Sequence, residues 1–154
     1  METAERGELA RLYGELAPRL WRALRAYSGD PALADDALDE AFAQFIHRGA
    51  AVESPERWIW RAAFRIAAGE LKERRRFVAM PDDAPVDDAD PATDLLPALA
   101  RLPPKQRAAL ILHYYIGYRT REIAQILGSS RATVRVHLSA GRKRLRRILE
   151  RDDG

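Results

Sequence analysis

The stretch TREIAQILGSSRATVRVHLSAGRKRLRR, from Thr120 to Arg147, contains two helical patterns that meet at Leu-Gly-Ser-Ser. Gly128 supplies the positive φ that ends the first helix at low steric cost, and Ser130 is a good N-cap for the second. The second helix keeps an apolar inner face at helical spacing, formed by Val134, Leu138 and Leu145. Two short helices joined by a tight turn predict a helix-turn-helix.

The outer face of the second helix is basic. Between Arg131 and Arg147 the sequence has seven Lys and Arg residues and no acidic residue. An ordinary helical hairpin with a solvated outer face also explains the apolar spacing, but it predicts mixed charge on the outside. Arginines can reach base edges or phosphates, so the charge favours a DNA-binding helix.

The positive charge of the chain is concentrated at its C-terminal end. Residues 101–154 carry 13 Lys and Arg against four Asp and Glu, a balance of +9, whereas the 154-residue chain is only +3. The sequence has no cysteine, which excludes disulfides and thiolate metal sites. It shows neither a signal peptide nor an apolar run long enough for a membrane span. We therefore expect a cytoplasmic protein without membrane insertion.

The first half of the chain also has helical periodicity. Pro18 is expected to break or kink the first helix, and Asp30-Pro31 is the N-cap and first residue of the next. Residues 77–94, FVAMPDDAPVDDADPATD, have three prolines, six aspartates and no periodicity. A calcium site is a weaker alternative, because the EF-hand order of ligands is missing. The sequence thus predicts an all-α chain: a helical module at 1–76, a flexible acidic linker at 77–94 and a helix-turn-helix module at 95–151.

Leu102 to Arg147, LPPKQRAALILHYYIGYRTREIAQILGSSRATVRVHLSAGRKRLRR, resembles region four of the extracytoplasmic-function sigma factors of bacterial RNA polymerase. The resemblance lies in Leu-Pro-Pro-x-Gln-Arg, Glu-Ile-Ala-x-x-Leu-Gly, Thr-Val-Arg and Gly-Arg-Lys-Arg-Leu. In the first half, residues 12–42 are similar to the opening helices of region two, and residues 56–76 to its promoter-melting helix. The segments follow one another in the family's order.

The resemblance implies a transcription initiation factor that binds core RNA polymerase and directs it to promoter DNA. Region four of the family reads the minus-thirty-five element, and region two binds the polymerase clamp and opens the minus-ten element. The resemblance also implies a sequestering anti-sigma factor as a partner. It places three residues against bases: Arg135, Val136 and Ser139. It implies that five others bind phosphates or set the register of the helix on the DNA: Arg131, Thr133, His137, Arg142 and Lys143.

In the first module the resemblance implies two further sites. The polymerase contact consists of Asp36, Asp39, Glu40 and Phe42. The minus-ten contact consists of Trp58, Arg61, Arg65, Arg74 and Arg75. Each has an ordinary structural alternative: the acidic face of the second helix can simply be solvated, and Trp58, Trp60 and Phe64 can belong to the core rather than stack on unpaired bases.

The chain departs from the family pattern at four positions. Arg65 and Gly69 stand where the promoter-melting helix usually has Asn and, four residues on, Asp. Asp39 stands where Gln is usual, and Arg119 stands where Ser or Thr normally caps the first helix of the motif, leaving Thr120 as the nearest substitute. These changes affect the expected minus-ten specificity and leave the minus-thirty-five reading intact.

Two other classes of function remain as alternatives. A helix-turn-helix regulator that does not itself initiate transcription would use the first module for dimerisation or sensing and would favour a palindromic target. An enzyme has little support, because His47, His113 and His137 lie in unrelated contexts and no phosphate-binding glycine loop is present. We therefore expect no catalytic residue, cofactor, metal or small-molecule substrate.

Overall fold

Every element in the described part of the chain is helical. The computed structural model describes residues 3–49, 52–77 and 95–153, without the side chains of residues 75–77 and 152–153. A π-helical segment, Ile111–Ile116, directly continues the fifth helix. The α-helices are α1 Thr3–Ser28, α2 Pro31–Arg48, α3 Pro55–Phe77, α4 Leu95–Ala100, α5 Pro104–Leu110, α6 Thr120–Leu127 and α7 Arg131–Asp153. None of these helices is long and apolar enough to cross a membrane. The all-α prediction is confirmed for these residues, while the predicted linker lies outside them except for Phe77.

The first module is a bundle of α1, α2 and α3. The Asp30 carboxylate accepts a hydrogen bond from the Ala32 N–H at 2.9 Å, and Pro31 is the first residue of α2. This confirms the predicted cap, which satisfies a donor that the helix itself leaves unpaired. Fully buried side chains from all three helices form the core of the bundle: Leu20, Leu24, Leu33, Ile59 and Trp60.

The predicted break at Pro18 is wrong, because α1 runs from Thr3 to Ser28 as one helix. Proline lacks an N–H and removes one hydrogen bond from a helix interior. However, Leu16, Ala17 and Leu20 are buried on both sides of this position. Packing of these side chains against the bundle outweighs the local preference of Pro18 for ending a helix.

The second module contains the predicted helix-turn-helix. Gly128 ends α6 in the left-handed conformation, with φ of 67°. The Ser130 hydroxyl accepts a hydrogen bond from the Thr133 N–H at 3.1 Å at the start of α7. Ile123 and Val134 are fully buried where the two helices meet. These observations confirm the motif and its turn.

The start of α6 differs from the expectation that Thr120 replaces the missing cap. Thr120 is already the first helical residue, and Arg119 occupies the N-cap position. The backbone N–H of Arg119 donates to the Glu122 carboxylate at 3.1 Å. The Glu122 side chain, in the first turn of α6, therefore pairs with the backbone N–H at the N-cap position.

The two modules are in direct contact, and their buried side chains form one hydrophobic cluster. The edge of the Tyr118 ring, in the segment before α6, meets the ring of Trp60 in α3 at a centroid distance of 5.4 Å. The Arg107 guanidinium in α5 donates to the Tyr27 carbonyl at the end of α1, at 2.7 Å. This packing was not foreseen from the sequence.

Candidate nucleic-acid interface

The outer face of α7 presents the three residues predicted to face bases. Arg135 and Val136 are exposed, Ser139 is half-buried, and with Lys143 they line an open cleft of about 520 Å³. Val136 is 64% exposed, so it has no role in the core. Its methyl groups could instead contact a thymine methyl in a major groove, while Arg135 could bond a guanine edge.

The other predicted residues lie elsewhere on α7. Arg131 and Arg142 are exposed, and Arg142 Nη1 donates to the Tyr114 hydroxyl at 2.7 Å. Thr133 is exposed, and its hydroxyl lies 2.9 Å from that of Ser130. His137 is half-buried. All eight predicted residues lie on α7, but they do not share one face, because Thr133 and His137 line a different cleft from Arg135.

A second cleft, of about 590 Å³, lies between the two modules. Its walls include Arg61, Arg65 and Lys72 from α3 and Thr133 and His137 from α7. Two residues predicted for the minus-ten element therefore line the same cleft as two predicted for the minus-thirty-five element. Several cations around one cleft raise the local positive potential, which favours anionic ligands.

The aromatic side chains of α3 divide into buried and partly accessible ones. Trp60 is 0% and Phe64 3% exposed, and their rings stack with centroids 6.0 Å apart. They are core residues in this arrangement, which agrees with the structural alternative for them. Trp58 is half-buried, with its ring 5.9 Å from that of Phe45. Of these three side chains, Trp58 is the one that keeps accessible surface for stacking on a base.

The contact between Tyr118 and α3 is also polar. The Tyr118 hydroxyl donates to the Glu56 carboxylate at 2.7 Å. Burial raises the pKa of Tyr118 above its usual value, and the hydrogen bond to the Glu56 carboxylate raises it further. The hydroxyl therefore stays protonated near neutral pH, and its ionisation does not disturb the contact between the modules there.

Arg74 is engaged within the first module. Its guanidinium forms an ion pair with Asp30 at 2.6 Å and lies 3.7 Å from the Glu70 carboxylate. Partial burial alone would raise the pKa of Asp30. Hydrogen bonds from Arg74 and from the Ala32 N–H, together with the charge of Arg74, outweigh the effect of burial, so the pKa of Asp30 is lowered. Arg74 thus fixes the end of α3 to the start of α2. The side chain of Arg75 lies outside the described residues.

The predicted polymerase contact on α2 combines exposed acids with one buried ring. Asp36, Asp39 and Glu40 are exposed and line one cleft of about 530 Å³. Phe42 is only 5% exposed, and its ring lies 4.8 Å from the ring of Tyr13. Phe42 therefore belongs to the apolar side of α2, where it supports the acidic face without adding to its surface. Within the described residues, no group of three or more His, Cys, Asp or Glu could hold a metal ion.

Some residues beside the α7 face were not identified from the sequence. Gln106, Arg144 and Arg147 line the same cleft as Arg135, and Tyr114 bonds Arg142 from the π-helical segment. Arg144 and Arg147 are among the seven basic residues counted in the sequence, so this signal could have identified them as site residues. Tyr114 gave no such signal, because a π-helical turn changes the phase of the side chains relative to the α-helical period.

Comparisons with known proteins agree with this geometry. The Sigma-70 region 4 family model matches residues 93–145. RNA polymerase sigma factor CarQ of Myxococcus xanthus is 30% identical, with 90% of this chain and 87% of CarQ covered. ECF RNA polymerase sigma factor SigM of Mycobacterium tuberculosis is 31% identical, with 85% of this chain and 71% of SigM covered.

Solved structures show the same fold. Sigma factor RpoE of Bartonella quintana, solved in complex with the anti-sigma factor NepR, superposes with a TM-score of 0.77 at 19% identity, over 93% of this chain and 97% of RpoE. Extracytoplasmic function sigma factor SigJ of Mycobacterium tuberculosis superposes with a TM-score of 0.63 at 24% identity, over 94% of this chain and 53% of SigJ. With sequence relatives of this identity and coverage, the chain belongs to the extracytoplasmic-function sigma factors of bacterial RNA polymerase.

Proposed function

We propose that this protein binds core RNA polymerase in the cytoplasm and directs it to promoters whose minus-thirty-five element is read by α7. The observation that carries the proposal is the α7 face itself. Arg135 and Val136 are exposed on a helix-turn-helix whose second helix has seven basic residues and no acidic one between Arg131 and Arg147. Such a helix can enter a major groove, while the surrounding cations bind phosphates.

The first module supplies the second half of this proposal. The exposed acids Asp36, Asp39 and Glu40 form the polymerase contact, and Phe42 holds α2 in place beneath them. The exposed Arg61 and Arg65, with Trp58, form the minus-ten contact. The polymerase performs the chemistry, so the factor needs no catalytic residues of its own. By analogy with RpoE bound to NepR, we also propose that an anti-sigma factor sequesters this protein.

In-vitro transcription tests the function. Core polymerase is incubated with promoter fragments selected from random DNA, with and without this protein. We expect specific transcripts only when the protein is present. If the protein instead binds an inverted repeat tightly as a dimer, does not bind polymerase and gives no transcript, it is a helix-turn-helix regulator that does not initiate transcription.

We expect Arg135→Ala to lower the affinity for the specific DNA fragment by removing the discrimination between bases at one position. A bidentate contact to guanine contributes about 1–3 kcal/mol of discrimination, so this variant should lose most of its affinity on the specific fragment. Lys143→Ala should weaken specific and scrambled fragments alike, because a phosphate contact carries no sequence information. Dissociation constants on both fragments at one salt concentration check this, and equal losses from Arg135→Ala on the two fragments would contradict it.

The family departures in α3 allow a second prediction. Arg65 is exposed, and a Cβ at Gly69 would meet no atom within 4 Å, so Arg65→Asn with Gly69→Asp should change stability by no more than about 0.5 kcal/mol. We expect the promoters selected by this double variant to differ from the wild-type set at the minus-ten element and to agree at the minus-thirty-five element. An unchanged minus-ten element would show that α3 does not read it. A changed minus-thirty-five element would contradict the expectation that the effect is confined to the minus-ten element.

A further inference from the structure

Tyr114 is an exposed aromatic residue that reaches the DNA-reading helix from another element. It is 60% exposed, and its hydroxyl oxygen accepts a hydrogen bond from Arg142 Nη1 at 2.7 Å. The neighbouring Tyr115 is similarly exposed, at 53%, but no hydrogen bond of its hydroxyl is seen among the described residues. The two tyrosines therefore differ in what their hydroxyls do rather than in their exposure.

The ring of Tyr114 is held from one side without being buried. The His113 ring meets it edge-on at a centroid distance of 4.7 Å and an interplanar angle of 84°. His113 Nδ1 lies 3.0 Å from the Tyr118 carbonyl oxygen. Because a carbonyl only accepts, Nδ1 carries the proton, and this bond fixes the orientation of the imidazole. The π-helical segment Ile111–Ile116 thus presents Tyr114 toward α7 at a defined place.

The hydrogen bond between Arg142 and Tyr114 leaves donors available on both side chains. The tyrosine oxygen accepts from Nη1, so its own proton remains free to donate, and the guanidinium keeps further N–H donors. Arg142 lies two helical turns after Arg135, at the edge of the face that reads bases. Phosphate oxygens flank that groove, and both tyrosine and arginine side chains bind them.

From this geometry we propose that Tyr114 binds a promoter phosphate together with Arg142 and positions the Arg142 guanidinium for it. The proposal rests on the proposed function, because it assigns a residue outside the helix-turn-helix to the same DNA interface. The ligand is the DNA backbone, so Tyr114 contributes affinity and register and does not choose the base sequence.

Tyr114→Phe tests this contact, and Tyr115→Phe is the matched control. Binding of variants of the whole 154-residue chain to a minus-thirty-five fragment and to a scrambled fragment is measured over a range of salt concentrations. We expect Tyr114→Phe to weaken both fragments by roughly three- to tenfold and Tyr115→Phe to change neither. The melting temperature should stay the same, since Tyr114 is exposed. Equal affinities for the two tyrosine variants would overturn the proposal.

The positioning role has its own readout. Arg142→Ala should reduce the steepness of log K against log salt by about 0.9, the value for one phosphate contact. In the Arg142→Ala background, Tyr114→Phe should cost less affinity than in the wild type, because one of its two roles has already been lost. An undiminished cost there would show that Tyr114 does not act through Arg142. Failure of the proposed function is distinguishable, because the wild type itself would then show no preference for the minus-thirty-five fragment.

Discussion

Binding of the polymerase-bound factor to a promoter that carries both elements is expected to move α3 and α7 apart by several tens of Å. In the structure, a Cβ at Gly128, which ends α6, would lie 3.4 Å from Arg61 Nη2 in α3. The names of the two elements, minus-ten and minus-thirty-five, place them about 25 base pairs apart, which is about 85 Å along B-DNA at about 3.4 Å per base pair. One arrangement cannot keep the helix-turn-helix packed against α3 through α6 and also place α3 and α7 on both elements of a duplex. If α3 and α7 bind the two elements as proposed, the modules must therefore separate.

The connection between the modules is long enough for this movement. Residues 78–94 comprise 17 residues, which can span at most about 60 Å when fully extended. The size of the modules themselves covers the remaining distance. The contact that must open includes the hydrogen bond from Tyr118 to Glu56 and the packing of Tyr118 on Trp60.

A pair of fluorescent dyes can measure the separation. The chain has no cysteine, so Ala10→Cys in α1 and Glu150→Cys in α7, both at exposed positions, can be labelled without other changes. The energy transfer should fall when the holoenzyme binds the fragment with both elements and should stay unchanged with a fragment that has only the minus-thirty-five element. Unchanged transfer on the two-element fragment would contradict the expectation.

Tyr118→Phe provides a matched variant, because it removes only the hydroxyl that bonds Glu56. Loss of this bond should populate the separated state more, and a larger competent fraction raises the apparent affinity. We expect tighter binding to the two-element promoter, by a few-fold, and no change on the fragment with one element.

Local sequence signals predicted the elements of the site well. The cap at Asp30, the left-handed Gly128 and the cap at Ser130 each depend on a few adjacent residues, and the structure shows all three as expected. The exposed face of α7 followed from its period and charge. These features are encoded locally, so a single sequence is sufficient to find them.

The features that the sequence did not reveal depend on distant contacts. Pro18 lies within α1 because the bundle buries the residues around it. The position of Tyr114 depends on a π-helical turn, and the Trp60 ring packs against Tyr118 from the other module. Helical periodicity identifies a buried face but does not say what covers it. For that reason Trp60 remained a candidate for stacking on bases until the structure placed Tyr118 against it.

Arg107→Met is expected to have the largest effect on stability. Arg107 is 3% exposed, and it is the buried charged residue among those described. Its guanidinium donates at 2.7–3.0 Å to four backbone carbonyl oxygens: those of Tyr27, Leu99, Ala100 and Leu102. Methionine has a similar length but no donor, so the buried bonds to the Tyr27 and Leu102 carbonyls and two part-buried bonds would be lost. Each such loss costs about 1–3 kcal/mol, so we expect the free energy of unfolding to fall by at least about 3 kcal/mol.

Urea unfolding followed by far-ultraviolet circular dichroism measures this loss. Lys105→Met is the control, because Lys105 is exposed in the same helix, and it should change stability by no more than about 0.5 kcal/mol. Arg107→Lys should lie between the two, since an ammonium has three donors and lacks the planar fork that reaches four carbonyls. A result for Arg107→Met within 1 kcal/mol of the control would show that the buried bonds contribute little.

The same substitution also separates two roles of Arg107. Three of its acceptors, Leu99, Ala100 and Leu102, lie in the second module, whereas the Tyr27 carbonyl ends α1 in the first. If Arg107 mainly stabilises the second module, Arg107→Met should lower its unfolding midpoint and leave the dye distance of the folded protein unchanged. If the bond to Tyr27 also holds the modules together, the dye distance should increase at urea concentrations where both modules remain helical. We expect the second result, because the 2.7 Å bond to Tyr27 is the shortest of the four and is fully buried.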